Sequence, residues 1–111
     1  QYYRNMETND ALTALAALAQ ESRLAVFRLL VQNGPDGLNP GVIGARLDLL
    51  APTLSFHLRT LAQAGLVTTV QEGRYLRYRA DMAAFNSLIA FLTEDCCSGN
   101  LQLCSLTGEK K

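Results

Sequence analysis

Between Asn39 and Ala80 the spacing of apolar residues changes once, from a period near 3.6 to a period of 2, and prolines and glycines mark the joints. Asn33-Gly34-Pro35-Asp36-Gly37 stops whatever helix precedes it. Asn39 then offers a capping side chain and Pro40 the fixed φ of a first helical residue, so a short helix is predicted, with Val42, Ile43 and Leu47 as its apolar face. Residues 49–51 are a brief connector. Pro52 opens a further helix through about Ala64, with Leu54, Leu58 and Leu61 inward and Gly65 as its stop. Two short helices with a tight join make a helix-turn-helix. From Leu66 onward the pattern is that of strands. Residues 66–71 are rich in Val and Thr, Glu72-Gly73 is a turn, and residues 74–80 alternate. That alternation sets Leu76 and Tyr78 on one side of the strand and Tyr75, Arg77 and Arg79 on the other.

The flanks are helical. Ala11, Leu12, Leu15, Leu18 and Ala19 recur at helical spacing from Thr8 to about Gln20. Ser22 is placed to cap a second helix carrying Leu24, Phe27, Leu30 and Val31 on one face. Asp81 caps a last helix through about Asp95, with Met82, Phe85, Ile89 and Leu92 as one stripe and Ala84, Leu88 and Phe91 as another. A helix apolar on two sides must be covered on two sides, so surplus apolar surface on the first and last helices predicts a homodimer joined through them. The whole is an α+β, mainly α chain: four helices, a β-hairpin wing and a C-terminal helix. That order is a winged helix-turn-helix domain over residues 6–95. Residues 1–5 read as a remnant ahead of a native start at Met6, and residues 96–111 as a cysteine-bearing tail.

Composition excludes several classes. At 111 residues and 12.1 kDa the chain fits one domain, and 49% hydrophobic against 18% charged residues is globular, not disordered. No apolar run reaches the roughly 18 residues of a membrane span, and no signal peptide is visible, so a cytoplasmic protein is expected. No nucleophile–base pair, phosphate loop or carboxylate pair suggests an enzyme. Ten basic residues balance ten acidic ones, so any nucleic-acid footprint must be local. It is: residues 51–80 hold Arg59, Arg74, Arg77 and Arg79 against Glu72 alone.

With three leucines of the fourth helix inward, Pro52, Ser55, Phe56 and Arg59 point outward and Thr53 lies at the margin. Hydroxyls can donate to phosphates or bases, and Phe56 can pack on a thymine methyl. Arg74 follows the wing turn, where it reaches a minor groove or a phosphate, and Tyr75 and Arg77 continue along the strand. His57 has two readings, a histidine hydrogen-bonded within the fold or a DNA contact.

Pro52-Thr53-Leu54-Ser55-Phe56-His57-Leu58-Arg59-Thr60-Leu61 with Ala64-Gly65-Leu66-Val67, the wing Glu72-Gly73-Arg74-Tyr75-Leu76-Arg77-Tyr78, and Ser22-Arg23-Leu24 with Phe27-Arg28-Leu29-Leu30 together resemble the ArsR/SmtB family of metal- and metalloid-responsive repressors. The resemblance spans roughly residues 11–93. It implies a homodimer that represses from a palindromic operator and lets go when an inducer binds. The family's arsenic site on the third helix is missing, since residues 40–49 hold no Cys, and its zinc site is missing, since His57 is the only His. What remains, Cys96, Cys97 and Cys104, looks like the arsenic-responsive subgroup whose three cysteines follow the last helix.

The chemistry of the trio agrees. Adjacent α-carbons lie about 3.8 Å apart, below the roughly 4.4–6.8 Å of an unstrained disulfide, so Cys96 and Cys97 suit a shared soft centre better than each other. Arsenic(III) and antimony(III) form three bonds, and three thiols match that count. Monomethyl arsenic(III) needs only two. Zinc would require a fourth ligand, such as Asp95 or water. Oxidation of one of the pair with Cys104 is a redox-sensing alternative, and three incidental thiols the plain one.

Overall fold

The computed structural model describes residues 6–94. Five helices and one hairpin follow in chain order: α1 (Thr8–Leu18), α2 (Glu21–Asn33), α3 (Pro40–Leu47), α4 (Ala51–Gln63), β1 (Val67–Glu72), β2 (Tyr75–Ala80) and α5 (Met82–Leu92). The fold is mainly helical with a two-stranded antiparallel sheet, as the sequence pattern requires. Among the described residues no helix is long and apolar enough to cross a membrane.

Local chemistry sets most boundaries. The Asn39 side chain accepts from the Val42 amide at 2.9 Å, and the Asp81 side chain accepts from the Ala84 amide at 3.1 Å, so both expected caps form. The cap of α2 is Gln20 and not Ser22: the Gln20 Oε1 reaches the Arg23 amide at 2.8 Å, and Ser22 falls in the first turn. Helix α5 ends at Leu92, short of the expected Asp95.

The core is built from Val26, Leu30, Ile43, Leu54, Leu58, Leu61, Leu66 and Leu88. Two helices turn a different face inward from the one their leucines suggested. In α1 the buried stripe is Ala11, Ala14 and Ala17, while Leu12, 58% exposed, and Leu15 point away. In α2 Val26 joins Phe27 and Leu30 inside, whereas Leu24 and Val31 face outward. The Phe27 and Phe85 rings meet at 5.4 Å and pin α5 to α2. Of the two stripes on α5, Leu88 is buried, with Ala84 and Phe91 half-buried beside it, and Met82, Ile89 and Leu92 are exposed.

The hairpin pairs Val67 with Ala80 at its base and Glu72 with Tyr75 at its tip. Its turn is therefore Gly73-Arg74, one residue later than Glu72-Gly73, and Gly73 supplies a φ of 59°. A third backbone segment docks on it: the Leu38 amide donates to the Tyr78 carbonyl at 2.9 Å and the Tyr78 amide to the Leu38 carbonyl at 2.8 Å. Gly37 makes that approach possible. Its φ is +79°, and a Cβ there would sit 2.9 Å from the Tyr78 carbonyl oxygen. Gly37→Ala is expected to destabilise the domain by about 2–4 kcal/mol, adding left-handed strain to a clash with rigid backbone. A urea midpoint unchanged from the parent would show that the Leu38–Tyr78 bridge is dispensable.

Candidate nucleic-acid interface

Helices α3 and α4 are joined by residues 48–50. Asp48 caps α3 in the left-handed region at φ 56°, a conformation Asp tolerates, and the Leu49 amide donates back to the Gly44 carbonyl at 3.0 Å. Gly44 lets the turn fold this tightly, since a Cβ there would meet the Leu49 carbonyl at 3.0 Å. The turn leaves Leu50 exposed at the head of α4.

Helix α4 is amphipathic along its length. Leu54, Leu58 and Leu61 enter the core. Pro52, Thr53, Ser55, Phe56 and Arg59 stand exposed, so the structure brings five expected DNA-facing residues onto one outward face. Phe56 is 53% exposed, which leaves its ring open to an apolar group such as a thymine methyl.

His57 is corrected from a DNA-facing candidate to an internal group. It is 7% exposed on the inner side of α4, and Arg23 of α2 donates from Nη1 to its Nδ1 at 3.3 Å. A guanidinium has no acceptor, so this bond requires a neutral imidazole with its proton on Nε2. Burial first, and the Arg23 charge second, hold the His57 pKa below its ordinary 6.5.

The wing carries the remaining residues. Arg74 lies in the turn itself, exposed at the tip, and Tyr75 beside it is 68% exposed. Arg77 is already engaged, its Nη2 paired with the Glu72 carboxylate across the strands. The surplus positive charge thus rests on Arg59, Arg74 and Arg79. Arg79 is exposed and its Nε donates to the Thr68 hydroxyl at 3.3 Å, which holds the guanidinium along the wing. It counts in the local positive charge of the wing but is not among the expected DNA-facing residues, and strand alternation places it on the side of Arg77.

An exposed helix flanked by a cationic hairpin suits duplex DNA, with phosphate contacts fixing position and the α4 face reading base edges. Arg74→Ala is expected to lower the slope of log Kd against log salt by about 0.9 per protomer, the counterion release of a single phosphate. An unchanged slope in a salt titration removes Arg74 from the phosphate contacts.

Cys96, Cys97 and Cys104 lie outside the described residues. Among the described residues no group of three or more His, Cys, Asp and Glu side chains is arranged to hold a metal ion.

Residues 18–70 match a family described as a helix-turn-helix domain. The chain is 36% identical over 87 residues to the HTH-type transcriptional regulator YceK of Bacillus subtilis, an alignment covering 72% of this chain and 86% of that one. Among solved structures, the ArsR-like transcriptional regulator from Rhodococcus sp. RHA1 superposes with a TM-score of 0.72 at 26% identity, over 90% of this chain and 92% of that one. The homodimeric winged helix-turn-helix DNA-binding domain Mb0332 from Mycobacterium bovis, a possible ArsR-family regulator, gives a TM-score of 0.62 at 25% identity, over 83% of this chain and 85% of that one.

Proposed function

Because this chain belongs to the ArsR family of winged-helix transcriptional regulators, we propose that it represses from a palindromic operator as a homodimer and is released when trivalent arsenic or antimony binds Cys96, Cys97 and Cys104. The observation that carries the DNA reading is the outward face of α4, where Thr53, Ser55, Phe56 and Arg59 stand exposed, together with the exposed Arg74 at the wing tip. Like its relatives, the chain is a regulator and not an enzyme.

The dimer reading is supported by the apolar residues that the single chain leaves uncovered on its first and last helices: Leu12 and Leu15 on α1, and Met82, Ile89 and Leu92 on α5. A twofold axis through this face would present two α4 helices to successive major grooves, about 34–36 Å apart. The homodimeric Mycobacterium bovis domain is a relative assembled in that number.

The inducer reading is supported by the donor set. Three soft thiols match the three bonds of arsenic(III), and they follow α5, whose outer stripe is assigned to the dimer face. Binding there would change the geometry at that helix end and so the separation of the two α4 helices. Coupling of about 1–3 kcal/mol is ordinary for such linkage, and DNA then weakens arsenite binding by the same factor.

The test is a gel-shift measurement on duplexes selected from a randomised pool, with arsenite, antimonite, methylarsenite, zinc and mild peroxide in parallel. Release by arsenite and antimonite supports the proposal. Release by methylarsenite alone replaces it with a two-sulfur site, and release by zinc alone or peroxide alone replaces it with a zinc or redox sensor. Failure to select any duplex overturns the DNA reading itself.

A further inference from the structure

One guanidinium joins three helices. Arg23, in the first turn of α2, donates from Nε to the Ala17 carbonyl in the last turn of α1 at 2.8 Å and from Nη1 to His57 Nδ1 in the middle of α4 at 3.3 Å. Its own backbone amide is held by Gln20 at 2.8 Å, so the side chain starts from a fixed point. Helix α1 carries the outward Leu12 and Leu15, and α4 carries the outward Ser55, Phe56 and Arg59. The path from one surface to the other is therefore short: α1 backbone, Arg23, His57, α4.

We infer that Arg23 and His57 are positioning residues, a strut that fixes the DNA-facing helix relative to the dimer-facing helix and holds only while His57 is neutral. The inference rests on the proposed function for the roles of those two helices. The chemistry of the strut is its own. Protonated Nδ1 would confront a donor that has no lone pair and a second positive charge. The groups packed on His57 offer no relief. From α2 comes the Arg23 cation, whose other bond goes to the Ala17 carbonyl of α1, and from α4 itself the Phe56 ring at 5.8 Å. Among the described residues no carboxylate pairs with either Arg23 or His57, the one ion pair being that of Arg77 and Glu72. Acid therefore breaks the bond between α2 and α4 without a substitute forming.

The sign of the resulting pH dependence is unusual for a DNA-binding protein. A histidine facing phosphate strengthens binding when it gains a proton. Here a proton on His57 detaches the DNA-facing helix from its support, and affinity falls. The chain has a single histidine, which makes the window below about pH 6.5 a clean probe of this residue.

The experiment measures operator affinity of the full chain from about pH 8 to about pH 5.5 at constant ionic strength, a range that brackets ordinary histidine titration. The unmodified protein is expected to lose affinity several-fold toward the acid end of this range, as pH falls through the folded-state pKa of His57, which lies below 6.5. The loss is bounded by about tenfold per pH unit per protomer, one proton each. His57→Gln keeps an acceptor for Arg23 and cannot titrate; it is expected to bind as the parent does at high pH and to hold that affinity on acidification. Arg23→Lys keeps the charge but lacks the fork that reaches Ala17 and His57 together, so it is expected to bind several-fold more weakly already at high pH. Thermal unfolding supplies a readout without DNA. The unfolded chain takes the proton at higher pH than the folded one, so stability is complete above 6.5 and declines below it in the parent but not in His57→Gln. Affinity that stays level or rises on acidification overturns the strut while leaving the DNA reading intact, as does an unaltered pH profile in His57→Gln. Absence of binding at every pH overturns both.

Discussion

An aspartate at position 89 is expected to separate the dimer and to cut operator affinity by about 10²–10⁴-fold, the advantage that a linked second half-site confers. Ile89 is an exposed residue of the outer stripe of α5, alongside Leu92, which is 52% exposed. Ile89 is 39% exposed in a lone protomer, so the new carboxylate can reach water there at a small cost. At a twofold apolar interface it is desolvated with no partner, a penalty of several kcal/mol. Leu12→Asp tests the α1 half of the same face. Sedimentation should show the monomer mass, and the same protein should bind a single half-site as weakly as it binds a full operator. Ile89→Asp that remains dimeric with parental affinity places the interface elsewhere.

Cys104→Ser is expected to abolish release by arsenite while leaving operator affinity as it was. Cys104 follows α5 in the chain and is not among the residues assigned to DNA, so operator affinity is expected to stay at the parental value. It removes one of three sulfurs, and a hydroxyl is a hard donor that does not replace a thiolate on a soft centre. A shift titration with arsenite on both proteins measures the effect directly. A Cys104→Ser protein that releases normally leaves Cys96 and Cys97 as a two-sulfur site and removes the three-coordinate reading.

The outward residues of α4 were legible because Leu54, Leu58 and Leu61 define its inner face so strongly that the opposite positions follow. Arg74 was legible as a wing residue, but its place in the turn itself depended on register, and register is set by cross-strand pairing from Val67–Ala80 to Glu72–Tyr75. Arg77 looked equivalent to Arg79 in the strand pattern. Only the pairing that brings Glu72 across the hairpin separates an arginine already neutralised from one still open to phosphate.

The sequence by itself determined the order and type of the elements, because those depend on groups close together in the chain. Asn39 and Pro40 start a helix, Gly65 ends one, and a change of period from 3.6 to 2 makes the wing whatever lies around it. The tertiary structure alone decided which of two apolar stripes turns inward. Periodicity identifies a face but not its partner, and α1 turns Ala11, Ala14 and Ala17 inward while Leu12 and Leu15 face out. The same holds for His57, whose position on α4 allowed two readings. Arg23, far from it in sequence and 3.3 Å away in space, is what makes it part of the interior.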